Sequence, residues 1–287
     1  MGIDAHPDYP LVFAANRDER YSRPTLQAGW WEEHPHILAG QDAEAGGTWL
    51  GITRSGRFAA LTNYWSSEPA YEQAPSRGSL VYDFLVGRTA PEAYAEYLRQ
   101  EGPLYNGFNL VFGNADELYY YSNRFHKKNE PLTNRSAGGK GRRVNGGTGG
   151  AERLAPGIHA ISNALLNTPW PKVEAIKAEM SDILEGQVGA GNIMGDRDGP
   201  KSGRKELEEE LLRLLERIEE PEKQRDPSLS YGERRRIAES SYRIAFPRFG
   251  TLSSTVLLFC RDGHVRFVER NYYPEVRVEF DFKIAAR

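Results

Sequence analysis

Leu11-Val12-Phe13-Ala14-Ala15-Asn16-Arg17-Asp18-Glu19 is the stretch whose reading decides the fold. Its first five residues are apolar without a polar interruption, the pattern of a short strand covered on both faces. The four that follow are an amide, a cation and two acids, delivered together at the strand's end. Such an end is where a sheet presents chemistry, so Asn16, Arg17, Asp18 and Glu19 are the first candidates for a site.

The neighbouring segments extend this into a sheet. Thr48–Thr53 and Arg57–Thr62 are strand-like, and Arg54-Ser55-Gly56 between them has hairpin-turn chemistry. Residues 79–100 read as two helices broken near Gly87, with Thr89 and Glu92 at capping-box spacing at the start of the second. Strands are expected at Phe108–Phe112, Glu117–Ser122 and Ile158–Ser162, and Thr168-Pro169 opens a further helix. The chain closes with strands at Thr255–Cys260, His264–Glu269 and Val276–Phe282, the first turn carrying Asp262-Gly263. Strands and helices come in blocks, which favours an antiparallel α+β arrangement over a doubly wound one.

Two segments read as insertions in a single domain spanning 1–287, at 137–150 and at 186–220. Ala137–Gly150 is Gly-rich with Lys140, Arg142 and Arg143, and lacks the strand and helix that would make it a phosphate cradle. Gly186–Gly203 is similar. Leu207, Leu211, Leu214, Leu215 and Ile218 then recur at helical spacing among charges, an amphipathic helix that either packs on its own domain or offers a partner surface.

Composition excludes several functions. A net charge of −3, from 37 basic and 40 acidic residues, gives no pull towards nucleic acid. Mean hydropathy is −0.63, and no apolar run approaches the roughly 20 residues a membrane-spanning helix needs, so no membrane insertion is expected. Cys260 is the only cysteine, and without a signal-peptide pattern the reading is cytoplasmic. Met1-Gly2 does not meet the myristoylation pattern, which wants Ser or Thr at His6. His34 and His36 flank Pro35 in a loop and no paired Cys/His spacing exists, so no metal site is expected. His126 and His159 could serve as haem axial ligands, but a lone His is more often an ordinary surface or core residue, and neither supports haem binding by itself.

The order of motifs resembles the NRDE family, whose eukaryotic branch is called transport and Golgi organisation protein 2. The run Ala14–Glu19 is followed by Tyr21 and Arg23-Pro24, then Gly46-Gly47-Thr48-Trp49-Leu50-Gly51-Ile52, then Ala59-Ala60-Leu61-Thr62-Asn63-Tyr64. Tyr105-Asn106-Gly107-Phe108-Asn109-Leu110, Ser162-Asn163-Ala164-Leu165 with Pro169-Trp170, and Gly250-Thr251 with Ser253-Ser254-Thr255 keep the same order. The resemblance implies a four-layer αββα sandwich of the N-terminal-nucleophile hydrolase type, in which a terminal Cys, Ser or Thr attacks a carbonyl. Carried over by motif position, Asp18 resembles the acid that holds the α-amine, Asn63 an oxyanion donor and Asn163 a second polar orienter. Asn16, Arg17 and Glu19 would line the binding pocket. From the residues alone, Asn63 and Asn163 serve equally well to hold loop backbone. Gly46, Gly47 and Trp49 read as turn and packing residues.

Two departures bear on function. The family usually begins Met-Cys with a short apolar strand, whereas this chain reads Met1-Gly2-Ile3-Asp4, so the first strand and the nucleophile are expected to be missing. Leu252 stands where the family commonly has Arg, which removes a guanidinium suited to carboxylate or phosphate. Cys260, in an apolar setting, reads as an inert thiol. The resulting expectation is an intracellular carrier for a small hydrophobic ligand, haem or a lipid or acyl-CoA, with no cofactor required and protein partners open. The alternative is a cysteine hydrolase of carbon–nitrogen or thioester bonds, given a complete N terminus.

Overall fold

A computed structural model describes residues 1–66, 70–124, 150–191 and 200–284. The strands are β1 (Gly2–His6), β2 (Tyr9–Arg20), β3 (Thr25–Trp30), β4 (Ile37–Asp42), β5 (Leu50–Thr53), β6 (Phe58–Asn63), β7 (Phe108–Gly113), β8 (Leu118–Ser122), β9 (Gly150–Arg153), β10 (Gly157–Ile158), β11 (Ala245–Phe246), β12 (Phe249–Phe259), β13 (His264–Tyr272) and β14 (Glu275–Lys283). The helices are α1 (Gly78–Val86), α2 (Pro91–Glu101), α3 (Pro171–Gly191), α4 (Pro200–Leu215), α5 (Pro221–Gln224) and α6 (Tyr231–Ala238).

The chain divides into two compact units, one made of Met1–Gln27, Ala155–Ala160 and Pro169–Ile284, the other of Ala28–Leu154 and Ile161–Thr168. In the first, a sheet runs β10-β1-β2-β12-β13-β14, with β11 paired to β12. Its pairs are antiparallel, and β2 and β12 run together from Leu11 opposite Phe259 to Arg20 opposite Phe249. Leu11, Val12, Phe13, Val256, Leu257 and Leu258 are all buried. Consecutive residues point to opposite faces of a strand, so a run buried on both faces must be continuously apolar. One face packs against α3 and α4 through Val12, Val256, Leu258, Met180, Leu184 and Leu211.

The α4 segment settles as a docked helix. Leu207, Leu211, Leu212, Leu214 and Leu215 are buried, while Ile218 lies beyond the helix end. Glu208 is also buried, held by Arg266 of β13 at 2.7 Å and by Arg277 of β14. A carboxylate with two guanidinium partners is tolerable at that depth where a lone one is not.

The second unit has the sheet β3-β4-β5-β6-β7-β8-β9, with α1 and α2 against one face. Phe84, Tyr94 and Phe112 meet edge-on or tilted there, with centroids 5.0 to 5.5 Å apart. Gly46 has φ of 76°, and a Cβ on Gly47 would come within 2.6 Å of the Gly78 carbonyl carbon, so both are required by the turn into β5.

Several expectations are corrected. A missing first strand is not what the sheet shows, because β1 occupies Gly2–His6 between β10 and β2, with a bulge at Asp4, whose φ is 46°. Thr89 does not cap α2. Pro91 takes the first helical position after Ala90, which makes no side-chain cap bond. Thr168 bonds back to Leu165 O, and α3 starts at Pro171. Of the expected Ile158–Ser162 strand, only Ile158 lies in a strand, β10, which begins at Gly157. Much of the proposed insertion at 186–220 is α4 and the end of α3, while residues 137–149 and His126 lie outside the described residues. No described helix is long and apolar enough to cross a membrane.

Because Leu211 of α4 is wholly buried against the sheet, Leu211→Ala is expected to cost about 3 kcal/mol in urea unfolding. A loss below about 1 kcal/mol would mean that α4 is not docked on its sheet.

Candidate functional site

The sequence-predicted residues fall into two groups, one in each unit. In the first unit, the end of β2 threads its polar side chains among carbonyls and hydroxyls. Asn16 donates to Leu215 O and to Tyr242 O, each at 2.9 Å, and its amide oxygen accepts from Ser254 Oγ. Ser254 in turn lies 2.8 Å from the Tyr272 hydroxyl. Asn16 therefore closes the end of α4, the chain at Tyr242 and β12 with one amide. Arg17 is buried and donates to Thr25 Oγ1. Glu19 accepts from Arg20 N at 2.8 Å and lies 3.8 Å from Arg23.

Asp18 is held by a threonine hydroxyl. Thr251 Oγ1 donates to its carboxylate at 2.7 Å, and the same oxygen accepts from Ile244 N at 3.0 Å. Burial holds the Asp18 carboxyl above its ordinary value of 3.8, opposed by the charge of Lys172 and by the Thr251 bond. Lys172, in the first turn of α3, is moved the other way. Burial lowers it, opposed by Asp18 and Glu239. The pair sits where each ion is costly alone and offset by the other.

In the second unit, Asn163 donates to Asn63 O at 3.0 Å and its carbonyl accepts from Trp65 N at 2.7 Å. Thr62 Oγ1 donates to Ser162 O at 2.9 Å, and Asn109 joins Thr62 to Ala164 O at 3.1 and 2.9 Å. The end of β6 and the 162–164 segment are thus laced together, and Asn163 serves that lacing. The Asn63 side chain is exposed and makes no hydrogen bond among the described residues. Its amide remains available as a donor.

Elsewhere, Cys260 is buried and burial pushes its thiol up to about 11. His159 Nε2 lies 2.9 Å from Ala155 O. Among the described residues, no group of three or more His, Cys, Asp or Glu is arranged to hold a metal ion.

The family model for Transport and Golgi organisation 2 matches residues 1–274. The chain belongs to that family. It is 35% identical over 276 residues to a Transport and Golgi organization protein 2 homolog of Bos taurus, and 34% identical over 278 residues to the one of Homo sapiens. Each alignment covers 92% of this chain and 87% of the relative. Among solved structures, a variant of conjugated bile acid hydrolase from Clostridium perfringens aligns over 94% of this chain and 88% of that one, at 10% identity. The TM-score of 0.43 is too low for that likeness to carry an argument.

Sequence reasoning missed Lys172, Thr251 and Asn109 as partners of the motif residues. A lysine in a first helical turn ordinarily reads as solvated, and nothing local marks Lys172 as facing Asp18. Leu252 lies at a bulge in the β2–β12 ladder. β11 pairs Phe246 with Phe249 and Ala245 with Gly250, Thr251 N donates to Ile244 O, and Arg243 directly precedes this paired segment.

The raised Asp18 value means that the folded state binds this proton more tightly than the unfolded chain. Its contribution favours folding below about pH 4 and is lost as pH rises through the folded value. Lys172→Met removes the opposing charge and moves Asp18 higher still. Its stability cost, measured by urea unfolding, is therefore expected to grow between about pH 3 and pH 7. A cost independent of pH would contradict the pairing, as would a double-mutant cycle with Asp18→Asn showing coupling below about 0.5 kcal/mol.

Proposed function

We propose that this chain binds and carries a small hydrophobic ligand, haem or an acyl-CoA, without turning it over. The observation that carries the reading is the commitment of the Asn16–Glu19 side chains. Asn16 holds two carbonyls and a hydroxyl, Asp18 takes Thr251 and faces Lys172, and Glu19 engages Arg20 and Arg23. Groups so engaged fix a framework, whereas general acid–base work needs a group that reaches the reacting proton. The thiol at Cys260 is held in its unreactive form. Family membership supports a role shared with these relatives. A cytoplasmic location belongs to the same proposal.

A second reading, an acyl or amide hydrolase, is favoured by Asn63. An exposed amide with no partner among the described residues is the kind of donor that an oxyanion would use. It requires a terminal Cys supplied upstream of Met1, and Asp18 and Asn163 would then be its supporting polar groups.

Titration of the full chain with haem and with palmitoyl-CoA, followed by absorbance and calorimetry, is expected to show saturable binding that Cys260→Ser leaves unchanged. Cys260 is expected to resist iodoacetamide at pH 8, where a thiol near 11 is thiolate in on the order of one molecule in a thousand. Absence of saturable binding would sink the carrier proposal. So would thioester hydrolysis above background, or acyl-electrophile labelling of a terminal Cys in protein purified from its native cell.

A further inference from the structure

Arg243 is a strongly basic group near the motif, and it forms no ion pair with an acid among the described residues. Its backbone N donates to Arg217 O at 2.9 Å, but its guanidinium is used differently. The Cζ atom lies 3.9 Å from the centre of the Tyr272 ring, and the buried Nε has no hydrogen-bond partner among the described residues. Stacking on an aromatic face orients a guanidinium without consuming its N–H donors. A buried donor left unpaired costs free energy, so a fold that holds one in place gains when a ligand supplies the acceptor.

The surroundings specify what that ligand is. Tyr21 meets Tyr273 edge-on at 4.9 Å, Tyr273 is 59% exposed, and the Arg243 charge acts on both the Tyr21 and the Tyr272 hydroxyls. Tyr21 N donates to Arg248 O, which brings this corner to the end of the β2–β12 ladder, where Phe249 is also exposed. A partly open cation beside exposed aromatic rings suits an acid joined to an apolar body. Two nearby acids are engaged elsewhere: Glu216 is bonded to Arg270, and Asp18 accepts from Thr251 Oγ1 at 2.7 Å.

We propose that Arg243, with Tyr21, Tyr272 and Tyr273 beside it, binds the carboxylate or phosphate group of an amphiphilic ligand. The site deepens the carrier reading and rests on it for the identity of the natural ligand. It is testable with simpler probes. Octanoate, octyl phosphate and octanol share one tail and differ in the head group. By calorimetry on the full chain, at least one of the two acids is expected to bind about tenfold or more tightly than octanol. The tighter acid identifies the head group as carboxylate or phosphate. Arg243→Gln is expected to erase that margin, and Arg243→Lys to keep part of it, because lysine retains the charge but not the planar fork. Octanol bound as tightly as both acids, or a margin unchanged in Arg243→Gln, overturns the site.

Where Arg243→Gln does not fold, competition in the native sequence gives the same answer. Inorganic phosphate displaces octanoate if the site is real, and failure to displace it counts against the site. The two proposals also fail separately. Octanoate bound through Arg243 with no uptake of haem or palmitoyl-CoA would leave the anion site standing and remove the carrier reading. Haem or palmitoyl-CoA bound equally by Arg243→Gln and the native sequence would do the reverse.

Discussion

The ladder between β2 and β12 is the constraint from which the rest of the first unit follows. Ten residue pairs from Leu11–Phe259 to Arg20–Phe249 hold the two strands together, interrupted only at Leu252. A central strand has no free edge, and polar side chains that are buried at its end must find partners within the fold. Asn16, Asp18 and Glu19 each find theirs on segments far away in sequence or just beyond the strand. The same ladder sets β11 against β12 and so carries Arg243 to the corner occupied by Tyr21 and Tyr272.

That constraint changes the meaning of the motif. A run of amide, cation and acids at a strand end looks like a catalytic wall, and by its spacing alone it could be one. In the structure, Asn16 spends its hydrogen bonds on Leu215 O, Tyr242 O and Ser254, which ties α4's last turn to the sheet. Asp18 and Lys172 of α3 act on each other through opposed charges. The motif joins the two helices to the strands that present Arg243. In the proposed site, recognition falls chiefly to a guanidinium stacked on an aromatic ring outside the motif.

Much of the architecture was legible. The apolar run at Leu11–Ala15, the hairpin around Gly56, the helix break near Gly87 and the closing strands at His264 and Val276 correspond to elements of the fold, and the expected Thr255–Cys260 strand is the second half of β12, which begins at Phe249. Their signals are local, being burial pattern and turn chemistry. The misses are physical as well. Thr89–Glu92 and Ser230–Glu233 share one spacing, yet only Ser230 makes the reciprocal cap, because Pro91 moves the start of α2 one residue past Thr89. β1 went unread because Gly2–His6 is too short and too polar to show a strand pattern, and its pairing with β10 and β2 is non-local. The site was less legible. Leu215 O and Tyr242 O leave no trace in side-chain chemistry, and Arg243 is unremarkable until the register of β11 and β12 is known.

Hydrogen exchange measured with and without a saturating amphiphilic acid tests the account most directly, since it locates the ligand without presupposing a residue. The account predicts added protection concentrated at residues 241–254 and 270–275, with the interior of the β2–β12 ladder already slow in the free protein. Protection confined to other segments, with 241–254 and 270–275 unchanged, would contradict it.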